Sequence, residues 1–127
     1  MKNILRNARD SKKVVANLPD ILRNEILNAM ADNITKTKHR ILEANKIDIQ
    51  NAINLSSSMI ERLKLNSKKI DDMADSIRVI SNLKSPLGRV LGGFENYAGL
   101  KIRKISVPIG VIAVIYESRP NVTSDVG

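Results

Sequence analysis

The stretch Val107-Pro108-Ile109-Gly110-Val111-Ile112-Ala113-Val114-Ile115-Tyr116-Glu117-Ser118-Arg119-Pro120-Asn121-Val122-Thr123-Ser124-Asp125-Val126 decides how this chain is to be read. Up to Ile115 it is nearly continuously apolar and rich in β-branched side chains, the pattern of a strand buried on both faces of a parallel α/β sheet. A polar turn, Glu117 to Asn121, comes immediately after it. Ligands of open α/β sheets bind outside the carboxyl ends of the strands, so the turn predicts a site there. Asn121 is a candidate site residue of that turn, or folds into an Asx turn after Pro120. Arg119 can take an anionic ligand through a bidentate fork, or pair with Glu117 or Asp125.

Upstream, Gly88, Gly92, Gly93 and Gly99 punctuate a turn-rich segment in which Leu100 and Ile102 alternate with Lys101 and Arg103, as in a half-exposed strand. The apolar phase slips between Ile102 and Ile105, which predicts a bulge or bend. The first two-thirds of the chain read helical. A first helix ends near Asn17, and Pro19-Asp20 suits the start of a second. Leu22, Ile26, Met30 and Ile34 mark one face of that helix. Ile41, Ala44, Asp48 and Ala52 mark a face of a third, where Asp48 is expected to be a structural hydrogen-bond acceptor. Ser58 and Glu61 fit a capping box. Asn66-Ser67 can cap a last helix with the stripe Ile70, Met73, Ile77 and Ile80. The expected fold class is α/β: a helical amino-terminal region (1–84), a turn-rich segment with a hairpin strand (85–106), and the first buried strand and site turn of an incomplete α/β domain (107–127).

Composition narrows the chemistry. With 43% hydrophobic and 27% charged residues, the 127-residue chain is no disordered tail. It contains no cysteine, hence no thiol nucleophile, and His39 is its single histidine, so no metal site is expected. The longest apolar run, Val107 to Tyr116, is shorter than the ~20 residues a membrane-spanning helix needs. Met1 to Arg6 lacks the apolar core of a signal peptide, and a cytoplasmic, membrane-free protein is expected. A net charge of +8 raises nucleic acid as a partner. The basic residues are spread along the chain, and Phe94, Tyr97 and Tyr116 are its only aromatics, which argues against it.

The segment Val107–Val126 closely resembles the signature of gamma-glutamyl phosphate reductases, which usually reads V-P-L-G-V-I-G-V-I-Y-E-A-R-P-N-V-T-V-D. Ile41-Leu42-Glu43-Ala44-Asn45-Lys46-Ile47-Asp48 resembles that family's I-L-x-A-N-x-x-D, Glu61-Arg62-Leu63-Lys64-Leu65 its D-R-L-x-L, and Ser85-Pro86-Leu87-Gly88 its D-P-x-G. The resemblance implies the aldehyde dehydrogenase superfamily, and so a helical layer and hairpin leading into the first strand of a Rossmann-type domain. It also implies NADPH-dependent reduction of L-glutamate 5-phosphate to L-glutamate 5-semialdehyde, through a cysteine thioester, in proline synthesis. Asn121 matches the family's oxyanion donor. Tyr116, Glu117 and Ser118 match the strand end that lines the nicotinamide pocket, largely through backbone atoms; the alternative is a strand edge without ligand contact.

In that family the catalytic cysteine and the elements holding most of NADPH lie beyond residue 127. The expectation is therefore a truncated reductase, inactive and without bound cofactor on its own. Two alternatives are an amino-terminal part complemented by a separate carboxy-terminal chain, and a small basic binding module without catalysis. Residues 107–115, lacking sheet neighbours, are expected to stay mobile or drive self-association. Purified chain given NADPH and glutamyl phosphate should oxidise NADPH only at the background rate; cysteine-free turnover above it would contradict the thioester mechanism.

Overall fold

The computed structural model describes residues 2–126, so the outer ends of the expected regions, Met1 and Gly127, lie outside the described residues. The elements are α1 (Lys2–Ala16), α2 (Asp20–Lys36), α3 (Lys38–Asn51), α4 (Ser57–Leu63), α5 (Ser67–Ser81), β1 (Val90–Glu95), β2 (Lys101–Ile105) and α6 (Val122–Val126). They form a helical layer and a two-stranded antiparallel sheet. Packing divides them into two units, Met1–Pro19 with Lys84–Ala113, and Asp20–Leu83 with Val114–Gly127.

The second unit is built on α2 against α5, where Ala31, Ala74 and Ile77 are buried and Leu27 and Ile34 pack beside them. Small residues at the crossing let the two helices approach closely. The contact face of α2 is thus Leu27, Ala31 and Ile34, while Leu22 and Ile26 remain exposed. A strict i+4 stripe overshoots each turn by about 40° on a helix of ~3.6 residues per turn, so Leu22 and Ile34 end about 120° apart. On α5 the buried positions are Ile70, Ala74, Ile77 and Ser81, with Ile80 exposed. Ser81 Oγ reaches Asn28 Oδ1 at 3.2 Å, and Arg78 pairs with Asp32 at 2.9 Å, fixing the register of the two helices.

Two local signals resolve differently. Ser56, two residues before the expected Ser58, caps α4 by accepting from the Met59 amide. Glu61 binds Lys64 instead of reaching back to the cap. Asn66 caps α5 as its sequence suggests, accepting from the Lys69 amide at 2.8 Å.

The third helix turns a different face inward from the one its apolar residues suggest. Asp48 is exposed, and the buried polar residue is Asn45, 5% accessible. Its Nδ2 donates to the Leu63 carbonyl and its Oδ1 accepts from the Leu65 amide, both at 2.8 Å. One side chain thereby stands in for backbone pairing at the end of α4, where no helical partner remains.

In the first unit, β1 and β2 pair from Glu95↔Lys101 to Val90↔Ile105. The irregularity falls between Val90 and Gly92, opposite Lys104 and Ile105, so the extra residue is on β1 and not within Ile102–Ile105. Asn96 Oδ1 closes the hairpin by accepting from the Ala98 and Leu100 amides, with Gly99 at φ 77°. At Gly93 a Cβ would lie 2.7 Å from the Ile102 carbonyl oxygen, so the strands approach too closely there for any side chain.

Residues 107–115 pair with neither strand of the sheet. Ile109 is 89% and Ile115 99% exposed. Gly110, at φ 115°, interrupts the extended run in a conformation reserved for glycine.

Asn45→Ala should lower the unfolding free energy by roughly 1–3 kcal/mol, because it strands the Leu63 and Leu65 backbone groups. Asp48→Ala should change it by no more than about 0.5 kcal/mol. Urea titration of both variants checks this; equal midpoints would show that the Asn45 clamp does not stabilise the fold.

Candidate functional site

The site turn begins where the apolar run stops. Ser118 takes φ 51°, the left-handed region that non-glycine residues seldom occupy. That kink reverses the chain so that Arg119, Pro120 and Asn121 enter α6: Val122 N donates to the Arg119 carbonyl, Thr123 N to that of Pro120, and Ser124 N to that of Asn121. Tyr116 Oη and Thr123 Oγ1, 2.6 Å apart, tie the two limbs of the turn together. The short helix then docks on α5.

Docking places Asn121 in a cleft of about 420 Å3 shared with Arg62, Lys64, Lys69, Asp72, Ser76 and Asp125. Leu65 and Met73 form its apolar floor. The same two residues also line a neighbouring groove of about 490 Å3 with Met30, Ile34, Ile41, Pro120 and Thr123. The turn therefore offers an amide on one side and apolar contact on the other. Asn121 Nδ2 donates to Asp125 Oδ2 at 3.1 Å, across one turn of α6. A ligand oxygen can take the same proton only by replacing that carboxylate.

Of the residues expected at the site, Asn121 alone lines the polar cleft. Arg119 and Glu117 are exposed, and Arg119 pairs with neither Glu117 nor Asp125 among the described residues. Ser118 acts through its backbone conformation, and Tyr116 through its bond to Thr123. Arg62, Lys69 and Asp125 are additions to the expected site. The Glu61-Arg62-Leu63-Lys64-Leu65 motif holds the signal for the first of them; Lys69 has none, because folding alone brings it beside Asn121.

The electrostatics are set by short-range partners. The hydrogen bond from Lys64, and then its charge, hold the Glu61 carboxyl below the usual carboxylate range. A depressed folded value means that the pair contributes at neutral pH and is lost as pH falls through the acidic range. Lys68 is raised by its hydrogen bond and charge pairing with Asp72, which sets that carboxylate's orientation at the cleft.

No group of three or more His, Cys, Asp or Glu side chains among the described residues could hold a metal ion. A dinucleotide's phosphates need backbone amides that come close, usually through glycines. The described glycines, at 88, 92, 93, 99 and 110, all belong to the first unit, and Asn121 to the second. Among the described residues no helix is long and apolar enough to cross a membrane.

No family model matches the chain. Individual proteins do. It is 46% identical over 127 residues to the gamma-glutamyl phosphate reductase of Nautilia profundicola, covering 98% of this chain and 31% of that protein. It is 46% identical over 129 residues to that of Mesorhizobium japonicum, covering 100% of this chain and 30% of that protein. The crystal structure of gamma-glutamyl phosphate reductase from Thermotoga maritima superposes with a TM-score of 0.88 at 36% identity, over 95% of this chain and 30% of that one. The Saccharomyces cerevisiae enzyme gives 0.91 at 33% identity, over 98% and 32%. The chain thus spans about a third of the length of the relatives it matches, an amino-terminal portion of them.

The left-handed Ser118 is a local lever on the turn. Ser118→Val should cost about 1–2 kcal/mol at that position and shift the Ser124 and Asp125 amide resonances. Ser118→Gly should leave them in place, and the reverse order would mean that the kink does not hold the turn.

Proposed function

We propose that this chain, an amino-terminal portion of a gamma-glutamyl phosphate reductase, supplies the helical wall and the oxyanion donor of that enzyme's active site. In this reading the whole protein is a cytoplasmic oxidoreductase of proline synthesis that reduces L-glutamate 5-phosphate to L-glutamate 5-semialdehyde with NADPH. The nucleophilic cysteine and most of the cofactor site come from outside these residues. Asn121 donates its amide to the oxygen that gains charge when the nucleophile adds to the acyl carbon. Such a donor stabilises the transition state by ~3–4 kcal/mol when it is held in place beforehand. Arg119 and the backbone of Tyr116 to Ser118 are assigned to the substrate phosphate and the nicotinamide.

The observation that carries the reading is the position of Asn121. The strained turn and the docking of α6 bring it to the wall of a polar cleft, within a chain similar to reductases along its whole length. A carboxy-terminal portion of the Thermotoga maritima reductase, beginning where the similarity stops, provides the test. Added in trans, it should yield NADPH oxidation with glutamyl phosphate. Asn121→Ala should then lower the rate by about two to three orders of magnitude. Full activity in that variant would return Asn121 to a turn role, and no activity from any such pairing would remove the proposal.

A further inference from the structure

The three cations around the Asn121 cleft are not equivalent. Lys64 is engaged by Glu61, and Lys69 Nζ donates to the Lys64 carbonyl at 2.6 Å. Asp72, on the same wall, is held through both carboxylate oxygens by Lys68 at 2.9 and 2.8 Å. Arg62 lines the cleft from the last turn of α4 and has no ion pair among the described residues. A guanidinium offers a planar fork of donors matched to two oxygens of a carboxylate or phosphate. Asn121 lines the same cleft.

We propose that Arg62 is the anion-recognising residue of this cleft. It binds the phosphate or carboxylate of a small ligand whose other oxygens reach the Asn121 amide, and Lys69 adds to the positive field. A volume of about 420 Å3 suits a small molecule. Asp125 works against binding: it lines the cleft with negative charge and takes one of the two N–H groups of the Asn121 amide. The two charges therefore give opposite expectations. Removing Arg62's charge weakens anion binding, and removing Asp125's strengthens it. The inference deepens the reductase reading, where the ligand is an amino-acid acyl phosphate, but it concerns a property of this chain alone.

The test is an NMR titration of the 127-residue chain at low salt with inorganic phosphate and, separately, with L-glutamate. The Asn121 side-chain amide and the Arg62 Nε resonance should shift saturably with at least one of them. Phosphate alone would identify a phosphate subsite, and glutamate alone a carboxylate subsite. Arg62→Gln should weaken the response about tenfold or more, as expected for a lost hydrogen bond to a charged group. Asp125→Asn should tighten it, and Arg9→Gln, an exposed cation of the first unit, should leave it unchanged. Wild-type binding by Arg62→Gln, an equal loss in Arg9→Gln, weaker binding by Asp125→Asn, or no cleft shift with either anion would each overturn the proposal. Failed complementation by the carboxy-terminal portion would leave this titration standing. Successful complementation with unaltered anion response in Arg62→Gln would sink the inference alone.

Discussion

The side-chain amide of Asn45 is enclosed where α3, the end of α4 and the connection to α5 meet, and both ends of that amide are used. A buried carboxamide without partners would cost more than it could return, so the connection must pass where Leu63 can accept and Leu65 can donate. With Leu65 held, the start of α5 is held too. Asn66 is placed to cap that helix, which presents Ile70, Ala74 and Ile77 inward. Leu65 is also a shared wall of the polar cleft and the apolar groove. A single buried polar contact thus links the packing of the helices to the shape of the candidate site.

Much of this is legible in the sequence, for reasons that can be named. The Asn66-Ser67 cap, the helix order and the hairpin are set by local chemistry, which a linear chain displays directly. The faces of α2 and α3 are misread from the sequence because counting apolar residues favours large side chains. Ala31, Ala74 and Ser81 are buried for being small enough to let helices approach, and Asn45 for having two backbone partners. Asn121 is visible because its turn comes after an apolar run. Its neighbours Arg62 and Lys69 lie far earlier in the chain, and no periodicity connects them to it.

The apolar run at 107–115 gives the chain its plainest asymmetry. The second unit buries its small core with no orphaned polar side-chain atom among the described residues. The run, by contrast, leaves Ile109, Ile112 and Ile115 largely in solvent. Ordering such a segment costs ~1–2 kcal/mol per residue in backbone entropy. Neighbouring strands and covering helices would offset that by burying each large side chain for about 1.5–3 kcal/mol. A helical unit with a small α2–α5 core, joined in one chain to a strand-like segment without sheet neighbours, is what the reductase reading expects of these residues.

Residue-resolved hydrogen exchange on dilute, monomeric chain tests that claim most directly. The amides of Ile70 to Ile80, together with the Asn45-bound amide of Leu65, should exchange slowly and as a group. Those of residues 109 to 115 should exchange near the unprotected rate. Protection of 109–115 equal to that of Ile70–Ile80 in a verified monomer would contradict the account, because the segment would then be stably paired within this chain alone.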